Sequence, residues 1–127
     1  MNLSLIFAVA IGGSIGAVLR FVLSFYINKL LGSSFAFGTL GVNILGSFLI
    51  GFLLLYFEQT IAQHTKALLI TGTLGALTTF STFSLETTLM LQQSLYFKAG
   101  LNVVLNVLFS MSATILGMML FKKIYGV

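Results

Sequence analysis

Four apolar stretches, each long enough to cross a bilayer, follow one another along this chain with little between them. The hydrocarbon core of a membrane requires about 20 consecutive apolar residues per helix. Stretches at about residues 3–31, 39–57, 66–91 and 98–121 qualify. The connections "GSSFAFG", "EQTIAQHT" and "QQSLYF" leave no room for a water-soluble domain. Only 6% of the 127 residues are charged and 58% are hydrophobic, whereas a soluble domain carries roughly a quarter charged residues. The expected architecture is an all-α membrane protein, residues 1–127 forming a single transmembrane domain of four antiparallel helices. No positively charged segment precedes the first apolar run, which continues past Arg20 to Phe25. It therefore reads as a membrane helix and not as a secretory signal.

Composition closes other routes. Cysteine and proline are both absent, so there is no disulfide framework and no thiolate metal site. The six basic residues are scattered, whereas a nucleic-acid surface needs them concentrated. The single histidine, His64, falls in a loop without metal-ligand company. No nucleophile–base pair can be assembled, so the chain is not expected to be an enzyme.

The same basic residues bear on orientation. Lys66, Lys122 and Lys123 belong to the side that holds both termini and the second loop; Lys29, Lys98 and the nearby Arg20 belong to the other. Positive charge normally decides which side stays cytoplasmic, and three against three decides nothing. Copies inserted both ways and paired as an antiparallel dimer would follow. The bland alternative is that six charges are too few to register a preference. A bundle this small also fills its own interior, so any pathway must run in a groove or between two copies.

Small residues mark close helix contacts: Gly12, Gly13, Gly16 and Ala17 on the first span, Gly46 and Gly51 on the second, Gly72 and Gly75 on the third. Such spacing lets membrane helices approach backbone to backbone. No phosphate loop is indicated, because no lysine or strand accompanies the glycines.

The polar residues fall in patterns. On the fourth span Asn102, Asn106, Ser110 and Thr114 recur at intervals of four, one slowly drifting stripe. On the second span Asn43 and Ser47 share that spacing. Lipid disfavours such groups, so they face a partner helix or water. Interhelical hydrogen bonding and a hydrated pathway are both open.

The third span departs furthest from an ordinary membrane helix. Gly75 leads into "TTFST", a run of weak helix formers. Unsatisfied backbone at membrane depth persists only where protein or a cavity surrounds it. A break near residues 75–81 is expected, exposing carbonyls suited to a cation and N–H groups suited to an anion. Phe80 and Phe83 would share one helical face, and Thr79, Thr82 and Glu86 another. Glu86 is the only acidic residue inside an expected span, which by default marks function. Arg20 either snorkels to the interface or gathers anions in a vestibule.

At these residues the chain resembles a known family, the Fluc or CrcB-type fluoride channels. "GTLGVNILGSFLIG" (Gly38–Gly51) and "GTLGALTTFSTFS" (Gly72–Ser84) resemble its two signature motifs, and "GGSIGAVLR" (Gly12–Arg20) its first-helix pattern. The resemblance covers all four spans in order, the fourth more in character than in motif. It implies a dual-topology, antiparallel homodimer in the bacterial cytoplasmic (inner) membrane, conducting fluoride passively and thereby protecting the cytoplasm. Two pores would each draw on both subunits. A structural sodium ion (Na+) would sit at the interface on the backbone carbonyls of Gly75 and Thr78. Asn43, Phe80, Phe83, Ser81, Thr82, Glu86, Ser110 and Thr114 would line the fluoride pathway, with Arg20 at a vestibule.

Two other readings compete. A small multidrug exporter also has four helices and dual topology, but needs a carboxylate in its first span and aromatic residues, often Trp, around the drug site. Here the first span has no acid and the chain has no Trp. A non-transporting scaffold, with every polar group used as packing, would show no ion flux.

Overall fold

The computed structural model describes residues 1–60 and 62–127; Ile61, in the second predicted loop, lies outside the described residues. Helix α1 (Leu3–Leu31) begins at Asn2, whose side-chain oxygen accepts the Ser4 N–H at 3.0 Å. It ends at Gly32, where φ is 90° and a side chain would be strained. Helix α2 (Phe37–Glu58) crosses back. The third crossing is assembled from α3 (Gln63–Lys66), a π-helical stretch (Ala67–Leu74), α4 (Gly75–Leu77) and α5 (Phe80–Gln92). Helix α6 (Tyr96–Tyr125) completes the chain. Among the described residues there are four segments long and apolar enough to span a membrane: Leu3–Leu31, Phe37–Glu58, Gln63–Gln92 and Tyr96–Tyr125. Their ends lie within four residues of the expected ones, and the third is bent as expected.

Glycines set the two main helix contacts. A Cβ at Gly12 or Gly16 would collide with the carbonyls of Leu68 and Thr73 in the π stretch, and one at Gly72 with the backbone of α1. At the α2–α6 crossing, Gly51 faces the Thr114 backbone and Gly117 faces the Phe48 backbone. Close approach of this kind maximises dispersion contact where no hydrophobic force separates protein from lipid. Gly13 and Gly75 do not take part: a Cβ at Gly13 meets nothing, and one at Gly75 meets only ordinary contact.

Val42, Leu74 and Leu77 form a small core, flanked by Leu23, Ile27 and Leu49. Large apolar side chains such as Phe7, Val18, Phe21 and Met111 point outward, as a surface facing acyl chains requires.

Candidate functional site

The third crossing breaks at Thr78 and Thr79, whose ψ angles of 154° and 122° are extended. The Thr78 N–H still reaches back to the Leu74 carbonyl, and its hydroxyl donates to the same oxygen, both at 3.1 Å. Thr79 leaves the helix. Its N–H donates to Asn43 Oδ1 at 2.8 Å, and Asn43 Nδ2 donates to the Thr79 carbonyl at 3.2 Å. One side-chain amide from α2 thus bonds both polar groups of a residue at membrane depth: the N–H would be costly unpaired, and the carbonyl, at the N-cap of α5, also accepts the first N–H of that helix. Thr79 then caps α5, its Oγ1 accepting the Thr82 N–H at 3.2 Å.

These bonds release two carbonyls. In an unbroken helix the N–H groups of Thr79 and Thr82 would close on the oxygens of Gly75 and Thr78. Both N–H groups are engaged elsewhere. Gly75 and Thr78 line a groove of about 360 Å³, together with Asn43, Phe80, Phe83 and Ser110. Freed carbonyl oxygens are the ligands a hard cation prefers, so the residues fit the cation role.

The phenylalanines sit side by side on this groove, ring centroids 5.3 Å apart and tilted by 59°. Phe83 is buried, at 9% exposure, whereas Phe80 is 78% exposed. Ser81, also exposed, brings its hydroxyl to 3.3 Å from that of Thr79. Ser110 Oγ is buried with no hydrogen-bond partner among the described residues.

A second groove, of about 510 Å³, is lined by Arg20, Thr39, Thr79, Thr82 and Glu86 among others. It shares Thr79 with the first. Thr39 Oγ1 donates to Glu86 Oε1 at 2.8 Å, while Glu86 Oε2 is buried and unpartnered among the described residues. Glu86 also borders a third groove, of about 300 Å³, that holds Asn28 and Lys98.

The polar stripe on α6 divides. Asn102 and Asn106 are buried and join a ladder of amides. Asn43 Nδ2 donates to Asn106 Oδ1 at 3.0 Å, Asn106 Nδ2 to the Asn102 carbonyl at 2.8 Å, and Asn102 Nδ2 to Thr87 Oγ1 at 2.9 Å. Thr114 lies away from the first groove, its hydroxyl shared at 3.1 Å between the Ser47 and Ser110 carbonyls. Among the described residues of that stripe, Ser110 alone presents a free hydroxyl. Thr39 and the Asn102–Asn106 ladder were not among the expected site residues. Thr39 lies four residues before Asn43 on the same face of α2, and extending the Asn43–Ser47 spacing by one step finds it.

Fold and site together define a four-span integral membrane protein whose third crossing is broken and clasped by an asparagine. A family model described as "CrcB-like protein, Camphor Resistance (CrcB)" matches residues 7–118, and the chain belongs to that family. It is similar to the "Fluoride-specific ion channel FluC" of a Nitratiruptor species, 57% identical over 126 residues that cover 99% of this chain and 98% of the relative. The protein of the same name from a Sulfurovum species is 58% identical over 122 residues, covering 96% of this chain and 97% of the relative. That from Shewanella frigidimarina is 55% identical over 113 residues, covering 88% of this chain and 91% of the relative.

Proposed function

We propose that the chain is a fluoride-selective passive ion channel of the bacterial cytoplasmic membrane, which exports fluoride and lowers its cytoplasmic concentration. The observation that carries this reading is the broken third crossing: neutral donors and two phenyl rings converge on an open groove, in a chain similar nearly end to end to proteins named fluoride-specific channels. Fluoride is small and holds its water strongly. A pathway must replace that water with donors yet let the ion leave. Hydroxyls and amides meet this better than a ring of arginines. Asn43, Ser81, Thr82 and Ser110 supply such donors, with Glu86 beside them; Thr114 would join them only on giving up its bonds to the Ser47 and Ser110 carbonyls. The edges of Phe80 and Phe83 carry the positive part of the ring quadrupole and would favour a small bare anion over larger ones. Arg20 gathers anions at the mouth of the second groove.

Two finer features belong to the same proposal. The functional unit is an antiparallel homodimer of copies inserted both ways. The even division of basic residues supports it, as does Phe80, a large ring left 78% exposed beside an open groove that a second copy would cover. A structural sodium ion sits between the copies on the carbonyls of Gly75 and Thr78, whose helical partners are engaged elsewhere. Sodium-free protein would then lose flux or dimer stability; unchanged behaviour would remove the cation from the proposal.

The test is growth. Expressed in bacteria lacking their own fluoride export, the protein should restore growth in elevated fluoride. Resistance to cationic drugs without fluoride rescue would contradict the reading.

A further inference from the structure

Asn43 has two amide hydrogens, and neither is idle. One bonds the Thr79 carbonyl at 3.2 Å and the other Asn106 Oδ1 at 3.0 Å. The amide cannot be turned over without loss, because its oxygen accepts the Thr79 backbone N–H at 2.8 Å. Asn106 is fixed in the same manner. Its Nδ2 donates to the Asn102 carbonyl at 2.8 Å and to Asn102 Oδ1 at 3.1 Å, so its own oxygen must face Asn43. The Asn43–Asn106 pair is therefore anchored at both sides on backbone groups of fixed polarity. Asn106 is only 6% exposed, and both asparagines line the 360 Å³ groove.

We infer that Asn106 is a positioning residue that competes with the permeating anion for an amide hydrogen of Asn43, and by that competition keeps the Asn43 site weak. This rests on the fluoride-channel reading. An anion arriving in the groove must take a hydrogen already in use. Giving up the bond to Thr79 would loosen the clasp that holds the break, so the hydrogen offered is the one on Asn106, whose Oδ1 has no other partner among the described residues and draws it back. The anion gains a charge-assisted bond; when it moves on, Asn106 Oδ1 takes the hydrogen back. Conduction requires sites that release as readily as they bind. Without the competing acceptor, the anion would be held longer.

The experiment is the dependence of initial fluoride efflux on internal fluoride, in liposomes holding the wild-type protein, Asn106→Leu or Asn106→Gln. Loss of the acceptor in Asn106→Leu should lower the half-saturating concentration about tenfold, equivalent to about 1.4 kcal/mol and of the size of one net hydrogen bond. The maximal rate should fall by a similar factor, and Asn106→Gln, which keeps an acceptor, should move both values back toward wild type. A silent wild type would overturn the channel reading and this proposal with it. A conducting wild type beside an Asn106→Leu protein with unchanged half-saturation would overturn the proposal alone. A measurement on the wild type guards against a variant that fails to fold. In a fluoride titration followed by NMR, the Asn43 amide protons and the Asn106 carboxamide carbon should shift with one midpoint. An Asn106 signal that stays fixed while Asn43 moves would overturn the competition.

Discussion

At the α2–α6 crossing, Gly51 lies against the Thr114 backbone and Gly117 against that of Phe48, with no side chain between. At Thr78–Thr79 the opposite holds: the helix has let go of its own bonds, and Asn43 stands in the place of a backbone partner. Both regions keep polar backbone satisfied inside the membrane. The crossing does so with unbroken helices in tight contact, which leaves an ion nothing to exchange. The break does so with side-chain bonds, each of which a ligand can replace at moderate loss. The bundle is therefore rigid where glycines meet and exchangeable where amides and hydroxyls meet.

The largest effect should come from removing the clasp. Asn43→Leu strands the Thr79 N–H at about 1–3 kcal/mol, while the Thr79 carbonyl, at the N-cap of α5, keeps the first N–H of that helix. Thermal unfolding in detergent should shift sharply downward and fluoride flux should disappear. Full flux from this variant would separate the clasp from the pathway. Gly117→Leu attacks the other region. It forces a side chain into the Phe48 carbonyl and should destabilise by about 1–3 kcal/mol, while the protein that does fold conducts normally. A selectivity change there would blur the contrast between the two regions. Phe80→Ile sharpens it. The ring is 78% exposed in the single chain, so chain stability should change by no more than about 0.5 kcal/mol. Flux should nevertheless fall about tenfold, the scale of about 1.4 kcal/mol of lost ring stabilisation. Unaltered conduction would refute the ring-edge role. The smallest effect is expected of Thr79→Ala, which removes the cap of α5 at about 1 kcal/mol, measurable as a modest drop in melting temperature.

Much of this was legible in the sequence, for physical reasons that differ by region. The four spans follow from hydrocarbon thickness and from the scarcity of charge. The break is legible because Thr78, Thr79 and Ser81 are weak helix formers just past Gly75, and it falls at Thr78–Thr79 within the expected window. The π-helical stretch Ala67–Leu74 is not legible, because "ALLITGTL" is an ordinary apolar run whose wider turn has no compositional signature. The partners of Asn43 are also beyond sequence reach. Spacing places Asn102 and Asn106 on one face of α6, but only the docking of α2 against α6 decides that Asn106 meets Asn43 while the Ser110 hydroxyl has no partner among the described residues. For the same reason the stripe on α6 could not be divided beforehand into packing and pathway.

The most direct measurement is release of fluoride and, in parallel, chloride from liposomes holding the purified protein, with counter-charge carried by a potassium ionophore. A selective passive channel should empty fluoride rapidly and leave chloride inside. Equal release of both ions, or retention of both by well-folded protein, would contradict it.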